Sequence, residues 1–182
     1  MPQSSVEPSS WIIDAVHSSI EFSVRRLIVS KVRGSFESFS GTITVGDDGA
    51  AKVTAEVDTG SLTTHNVNRD AHLRSGDFLD VEDYPTATFV STSVLAAGDQ
   101  RYTLTGDLTL RGVTKPVTLD VTLLGRNAGM GTEEVIGFEA TAQITRQDFG
   151  ITIDVPLETG DKVVGDVVSL SLDISATREA AR

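Results

Sequence analysis

The chain has 182 residues, a formal net charge of −11, 39% hydrophobic residues and no cysteine. This length suits one domain that can bury a core or enclose a cavity. The negative charge argues against nucleic acid and disfavours anionic membrane surfaces, because binding to either needs clustered Lys and Arg. Without cysteine, disulfides, thiolate metal sites and cysteine nucleophiles are excluded.

Neither end of the chain carries a strand signal, and no apolar run approaches the roughly 20 residues that span a bilayer. Stable membrane insertion is therefore not expected. Residues 1–10 are rich in Ser and Pro and lack the basic start and apolar core of a secretory signal. We expect a cytoplasmic protein, or a periplasmic or secreted one if a leader has been removed. Residues 1–10 are predicted to be a disordered tail, 11–177 a single barrel domain and 178–182 a frayed end.

Between these ends, most of the chain alternates apolar and polar residues with the period of two that strands have. Turns predicted at 46–49 and 111–112 separate neighbouring segments. The sequence therefore predicts an all-β antiparallel meander that closes into a barrel of about eight strands. The apolar members of the segments are Ile20, Phe22 and Val24; Ile43 and Val45; Val53, Ala55 and Val57; Leu104, Leu108 and Leu110; Val117, Leu119, Val121 and Leu123; Phe138, Ala140, Ala142 and Ile144; and Val168, Leu170, Leu172 and Ile174.

Several positions on the apolar faces carry small residues, namely Ala55, Gly106, Ala140 and Ala142. An eight-stranded barrel has an interior just large enough for side chains or one enclosed ligand. The small residues are therefore open to two interpretations. They leave room for a ligand, or they fit the taper of a packed barrel.

The segment 61–92 interrupts the strand pattern with a cluster of polar and charged residues. It predicts a short helix near residues 66–74, capped at its start by Thr63 or Thr64. A polar insertion with a helix in an all-β chain is where a barrel would carry a lid, a mouth or a catalytic group.

Two interpretations of this helix follow from its charged residues. In the first it is a surface helix, stabilised by a local ion pair between Asp70 and Arg74 at a spacing of four residues. In the second, Arg69, Asp70 and His72 point into the barrel mouth and bind the polar head of a ligand. Proton transfer by His72 with Asp70 also stays open.

A metal site and a serine triad are both disfavoured. His65 and His72 are seven residues apart, about two helical turns, which is too far for an ordinary ligand pair on one helix. The chain has no Gly-x-Ser-x-Gly elbow to present a nucleophilic serine. No metal is expected.

Arg146 continues the inward parity of Phe138 and Ile144. If the strand runs through it, the guanidinium faces the barrel interior and needs a partner, for which Asp148 and Asp70 are the candidates. If the strand ends before it, Arg146 lies in solvent.

The motifs now in view resemble those of the YceI-like family, over about Trp11–Ala176. Several separated motifs occur in the family's order, which makes the match specific. They are WIID at 11–14 with HS at 17–18; VRGSF at 32–36; RDAHLRS at 69–75 with DF at 77–78; YP at 84–85 with Phe89; GDLTLRGVTK at 106–115; and RQDFG at 146–150.

The resemblance implies an extended lipocalin-like barrel with a long apolar tunnel that binds polyisoprenoids, quinone-type isoprenoids or other long amphiphiles. It implies no enzyme activity and no cofactor beyond such a bound lipid, and it allows a homodimer. We therefore expect non-catalytic binding, transport or storage of the lipid. The alternatives are stress-related sequestration of amphiphiles and an enzyme that uses Asp70, His72 and Arg146 on a hydrophobic substrate. The residues expected to bind the ligand are Phe22, Val24, Phe36, Phe39, Arg69, Asp70, His72, Phe89, Leu108, Phe138, Arg146 and Phe149.

Overall fold

The computed structural model of the protein describes residues 8–129, 131, 133–154 and 163–180. Antiparallel strands make up most of these residues, and an α-helix lies between the sixth and seventh strands. The bounds are β1 Ser9–Ile13, β2 Ser19–Arg26, β3 Ser30–Phe36, β4 Phe39–Val45, β5 Ala51–Asp58, β6 Leu62–Thr63, α1 Val67–Arg74, β7 Thr86–Gly98, β8 Arg101–Leu110, β9 Val113–Asn127, β10 Val135–Thr145 and β11 Val164–Arg178.

The strands form one closed barrel with eight positions around its ring. The hydrogen-bonded order is β1–β4–β5–β7–β8–β9–β10–β11, and β11 pairs back to β1. At three of the eight positions in the ring, two consecutive segments together make up one strand. β2 continues β1 along the edge of β11, β4 continues β3, and β6 follows β5. Every pairing is antiparallel. The predicted antiparallel meander of about eight strands is confirmed.

Short polar turns break two of the long strands. The Asp14 carboxylate accepts a hydrogen bond from the Val16 amide at 3.0 Å, between β1 and β2. The Asp58 carboxylate accepts one from the Gly60 amide at 3.0 Å, between β5 and β6. Such side-chain bonds to the backbone two residues ahead favour a turn over continued extension.

Small residues let the rest of the barrel fill with side chains. Ala140 and Ala142 belong to a packed core with Phe149, which is 2% exposed. A Cβ at Gly106 would lie 2.4 Å from Cζ of Phe89, so only a glycine at this position leaves room for the ring to pack against the sheet. At Gly106, Ala140 and Ala142 the small residues therefore fit a packed barrel, which was the second interpretation, and do not leave room for a ligand.

The predicted helix is present as α1, but the residue that caps it was predicted wrongly. The Asn66 side chain accepts a hydrogen bond from the Arg69 amide at 3.0 Å and is the N-cap. Thr64 is engaged elsewhere, because its hydroxyl bonds to Asp70. Within the described residues, no helix has the length and apolar character needed to cross a bilayer.

The ordered domain extends further at both ends than the sequence predicted. Ser9 and Ser10 belong to β1 and pair with β4, although residues 1–10 were expected to be a disordered tail. Arg178 ends β11 opposite Trp11, and its guanidinium donates to Glu134 at 3.1 Å, although a frayed end was expected from 178. Trp11 is 3% exposed, and its burial anchors both segments. Residues 1–7 and 181–182 lie outside the described residues.

Candidate functional site

A cavity of about 810 Å³ lies inside the barrel at the end that carries α1. Strands β2, β3 and β11 form one wall, and β7 and β8 contribute to the other. The segment after α1 and the segment after Phe149 complete it. Its apolar lining consists of Ile20, Phe22, Val24, Val32, Phe36, Val57, Leu62, Leu73, Phe78, Leu79, Ala87, Leu108, Leu110, Ile144, Ile151, Ile153, Val163, Val164, Val168 and Leu170.

Two aromatic rings form part of the wall. The ring centroids of Phe22 and Phe36 are 5.6 Å apart with a tilt of 45°, a favourable geometry for an aromatic pair. Phe22 lies over Gly34 on the neighbouring strand, where a Cβ would stand 2.4 Å from Cζ of Phe22. Because Gly34 has no Cβ, the Phe22 ring has room to lie flat against the sheet and extends less far into the cavity.

Polar side chains of the lining mark where the cavity meets solvent. The exposed ones come from the end of β2 and from α1. They are Arg25, Arg26, Asn66, Asn68 and His72. Among the described residues that line the cavity there is no Asp or Glu. The opening therefore lies between the β2–β3 turn and α1, and it is rich in hydrogen-bond donors.

Asp70 faces away from the cavity and fixes the start of α1. It is 6% exposed and accepts hydrogen bonds from the Thr64 amide, at 2.8 Å, and from the Thr64 hydroxyl. Burial by itself would raise the pKa of Asp70. The hydrogen bonds from Thr64 and the positive charges of Arg74 and Arg69 outweigh burial, so the pKa lies below its usual value.

The expected surface ion pair between Asp70 and Arg74 is not formed as a direct contact. Arg74 instead donates to the carbonyl oxygens of Gly60, at 3.0 Å, and Leu62. A guanidinium has five N–H donors, and these inward backbone acceptors are fixed by the barrel. The helix is therefore fastened to the segment before it by Arg74, and the predicted Asp70–Arg74 ion pair was wrong, although Val67, Asn68 and His72 place the helix at the surface.

Arg69 adds a second attachment of the same kind. Its Nε donates to the Thr64 hydroxyl at 2.8 Å, and its Nη2 donates to the Thr64 carbonyl at 3.0 Å. Arg69 also lines the cavity, so its charge contributes there while its donors hold the helix.

Arg146 is buried and lines the cavity, as predicted for an inward-facing guanidinium, but the continuous strand and the acidic partners that were predicted for it are wrong. β10 ends at Thr145, and Arg146 starts a short 3₁₀ turn with its side chain 3% exposed. Its guanidinium reaches neither Asp148 nor Asp70. Instead it donates to four carbonyl oxygens: Gly165 at 2.9 Å, Ile151 at 2.9 Å, Ile153 at 2.8 Å and Val164 at 3.4 Å.

The carboxylate of Asp166 lies 3.5 Å from the Arg146 guanidinium and is 41% exposed. The charge is therefore satisfied mainly by backbone dipoles. Arg146 fastens the segment after the 3₁₀ turn to the start of β11, and both segments line the cavity.

His72 lies at the opening and has one acidic neighbour. Its Nε2 is 2.9 Å from Oδ2 of Asp77, and its ring meets Phe78 edge-on at a centroid distance of 5.0 Å. Among the residues that the structure describes, no three His, Asp or Glu side chains are grouped to hold a metal ion.

The structure brings only part of the predicted ligand-binding set to the cavity. The members that line it are Phe22, Val24, Phe36, Arg69, His72, Leu108 and Arg146. The others lie outside its lining. Phe89 and Phe149 pack in the core, Asp70 bonds to Thr64, and Phe39 and Phe138 sit on β4 and β10 opposite Val57 and Leu123.

Sequence reasoning missed several lining residues for which a signal existed. Ile20 and Arg26 share the parity of Phe22 and Val24 along β2, so they face the same side. Arg26 could have been found by extending the strand to its last residue. Phe78 and Leu79 follow α1 and carry no strand pattern, so only the fold places them in the wall.

Comparison with known proteins assigns the family. The family model described as YceI-like domain matches residues 11–176. The chain is 43% identical over 141 residues to Protein YceI of Salmonella newport (strain SL254) and likewise to Protein YceI of Escherichia coli O157:H7, with 76% of this chain and 73% of the relative aligned in each case.

Solved structures have the same fold. The YCEI protein of Campylobacter jejuni superposes with a TM-score of 0.73 at 28% identity, covering 86% of this chain and 90% of that one. BcnA of Burkholderia cenocepacia gives 0.77 at 23% identity over 90% and 98% of the two chains. A polyisoprenoid binding domain from Saccharophagus degradans gives 0.64 at 17% identity over 91% and 97%. The family model over residues 11–176 and the relatives of 43% identity show that the chain belongs to the YceI-like domain family.

Proposed function

We propose that the protein binds and carries a long-chain isoprenoid or a similar amphiphile, without altering it chemically and without a cofactor. The observation that carries the proposal is the cavity of about 810 Å³, whose lining is apolar apart from Arg146 and the residues near the opening. Its size falls within the range of about 300–1,000 Å³ that is usual for ligand pockets. The fold shared with a domain described as polyisoprenoid binding supports this ligand class.

The apolar wall favours a hydrocarbon chain inside, and the opening favours a polar head. Burial contributes about 0.8 kcal/mol for each CH₂. A chain of ~40 carbons would on that count exceed the affinity ceiling near −18 to −21 kcal/mol, so ordering of the chain must offset much of the gain. Fit and head contacts then decide selectivity. Arg25, Arg26 and Asn68 at the opening favour a head with oxygen acceptors, as quinones, phosphates and carboxylates have.

Catalysis by Asp70, His72 and Arg146 has little support in the arrangement of these side chains. Asp70 does not line the cavity and is engaged by Thr64. The guanidinium of Arg146 is engaged by carbonyl oxygens. A group that acts on a substrate must be within hydrogen-bond reach of it, and His72 alone of the three has its ring exposed at the opening.

Narrowing the cavity tests the proposal. Ala87 is buried in its wall on β7, and Ala87→Phe places a ring in the cavity. We expect the affinity for a long-chain prenol such as geranylgeraniol to fall at least tenfold, because losing burial of about two methylenes costs ~1.6 kcal/mol. Displacement of a fluorescent polyene fatty acid measures this affinity.

The matched control is Ala96→Phe, which adds the same ring at an exposed position of the same strand. It should leave the affinity unchanged. Equal affinities of the wild type and Ala87→Phe, with both proteins folded, would contradict binding in this cavity.

A further inference from the structure

A basic hairpin borders the cavity opening of this acidic protein. Residues 25–33, RRLIVSKVR, carry four of the chain's 15 Lys and Arg residues and no acid, whereas the whole chain has a net charge of −11. We define these nine residues as the basic hairpin. It joins β2 to β3 by a three-residue loop, Leu27 to Val29, and Arg25 and Arg26 line the cavity.

Among the residues that the structure describes, the four cations of the basic hairpin form no salt bridge. They are Arg25, Arg26, Lys31 and Arg33. Arg25 also lies directly opposite Lys31 across the two strands. Like charges at that position destabilise a sheet. The described residues thus place positive charge here without pairing it to an acid, which suits a negatively charged partner.

The loop of the basic hairpin presents apolar side chains to solvent in an unfavourable backbone conformation. Ile28 is 60% exposed and Val29 83% exposed. Leu27 and Ile28 have φ of 53° and 65°, the left-handed region that β-branched residues rarely adopt. The Leu27 amide donates to the Val163 carbonyl at 3.0 Å and fixes the loop beside the cavity. The turn itself does not require Leu at 27 or Ile at 28, because Asn or Gly adopts a positive φ more readily.

Across the opening, α1 presents a third exposed aliphatic side chain. Val67, its first residue, is 85% exposed, and its neighbours Asn66 and Asn68 line the cavity. Ile28, Val29 and Val67 therefore flank the opening from two sides.

We propose that the basic hairpin docks the barrel on a lipid bilayer with anionic headgroups, so that the cavity opening faces the membrane. Apolar tips would enter the headgroup region while the cations attract anionic lipids, as in other interfacial segments. A long-chain ligand could then pass between bilayer and cavity without exposing its methylenes to water. The ligand exchange rests on the proposed function, whereas the docking surface does not.

The overall negative charge does not oppose this geometry. At physiological salt, charges beyond about 8–10 Å are largely screened, so the local surface decides. One acid, Asp166, lies at the start of β11 beside β2, and its carboxylate is 3.5 Å from the Arg146 guanidinium. The acids that follow α1, at Asp77, Asp80, Glu82 and Asp83, are separated from the basic hairpin by β6 and α1. Repulsion from these acids would tilt the barrel so that the edge carrying the hairpin contacts the bilayer.

Sedimentation with vesicles of phosphatidylcholine plus phosphatidylglycerol, against phosphatidylcholine alone, tests the docking. We expect salt-sensitive binding to the mixed vesicles. Lys31→Gln with Arg33→Gln should weaken it about fivefold for each cation removed. Ile28→Asn with Val29→Ser should weaken it about tenfold. Asn relieves the left-handed position, so this variant should remain folded, as thermal unfolding would verify.

Two control variants carry the same kinds of change at the other end of the barrel. Lys52→Gln with Arg101→Gln removes the same charge, and Leu95→Asn removes an aliphatic side chain that is 63% exposed. Both should bind the mixed vesicles like the wild type. Equal binding to the two kinds of vesicle, equal losses in the controls, or a dimer in solution that depends on the hairpin would overturn the docking surface.

The prenol assay separates this inference from the proposed function. None of the substituted hairpin residues lines the cavity, so prenol affinity in the absence of vesicles should be unchanged. If the wild type binds vesicles through the hairpin but binds no prenol, the docking surface stands and the proposed ligand is wrong. If it binds prenol but the hairpin variants bind vesicles normally, the docking surface is wrong and the proposed ligand stands.

Discussion

Replacing Arg146 with methionine is expected to lower the free energy of unfolding by about 3–5 kcal/mol. Arg146 is 3% exposed and donates to the carbonyl oxygens of Gly165, Ile151, Ile153 and Val164. Replacing a whole buried ion pair with apolar residues is often neutral, because both charges are removed together. Here the acceptors are backbone oxygens that no substitution can remove, so the buried Ile151 oxygen and the three partly buried ones would lose this donor.

Urea denaturation of the wild type, Arg146→Met, Arg146→Lys and Arg101→Met measures this effect. Arg146→Lys keeps the charge with fewer and differently directed donors, so it should lose less than Met does. Arg101 is exposed on β8, and its replacement should change stability by less than about 0.5 kcal/mol. If the free energy of unfolding of Arg146→Met were within about 1 kcal/mol of the wild-type value, the structural role of the guanidinium would be contradicted.

Loss of the Asp70 side chain is expected to be the second large effect. Asp70→Ala leaves the buried amide and hydroxyl of Thr64 without their acceptor, and it removes the anion near Arg69 and Arg74. We expect a loss of about 2–4 kcal/mol, since hydrogen bonds to a charged group contribute more than neutral ones. Asp70→Asn retains an acceptor oxygen and should lose less.

The contribution of Asp70 to stability is expected to depend on pH and to be larger at neutral than at acidic pH. The folded-state pKa of Asp70 lies below its ordinary value, so the folded state favours the carboxylate. Its stabilisation is complete above the unfolded pKa of about 3.9 and is lost as the pH falls through the lower folded-state value. The stability difference between the wild type and Asp70→Asn should therefore be larger at about pH 6 than at about pH 3.

Denaturation of both proteins at the two pH values measures that difference. Asp47→Asn is the matched control, because Asp47 is exposed in the β4–β5 turn. Its difference from the wild type should vary little with pH. A difference for Asp70→Asn that is the same at both pH values would mean that the Thr64 bonds do not favour the charged form.

The barrel could be predicted because alternation with a period of two is a local property of the sequence. The parity of Phe22, Val24 and Ala140 correctly indicates which face of each strand turns inward, because the first two line the cavity and Ala140 lies in the core. Parity does not say which neighbour an inward side chain packs against. Phe89 is paired with the cavity residue Leu108, but its ring packs over Gly106 against the core. The cavity lining could therefore be predicted only in part.

The environment of Arg146 depends on contacts that no local pattern encodes. Its acceptors include residues 18 and 19 positions further on, and they are carbonyl oxygens, which every residue type provides. A search for a charged partner among side chains therefore led to Asp148 and Asp70. The N-cap of α1 was missed for a related reason. Thr63, Thr64 and Asn66 all have suitable side chains, but in the fold Thr63 accepts from the His65 amide and Thr64 bonds to Asp70, which leaves Asn66 as the cap.

Native mass spectrometry of the purified protein, followed by organic extraction and identification of released molecules, tests the central claim most directly. We predict a bound long-chain isoprenoid or related amphiphile in a one-to-one complex, with reduced occupancy in Ala87→Phe and normal occupancy in Ala96→Phe. A wild-type protein that stays free of ligand, even after incubation with long-chain prenols, quinone-type isoprenoids and fatty acids, would contradict the proposed function.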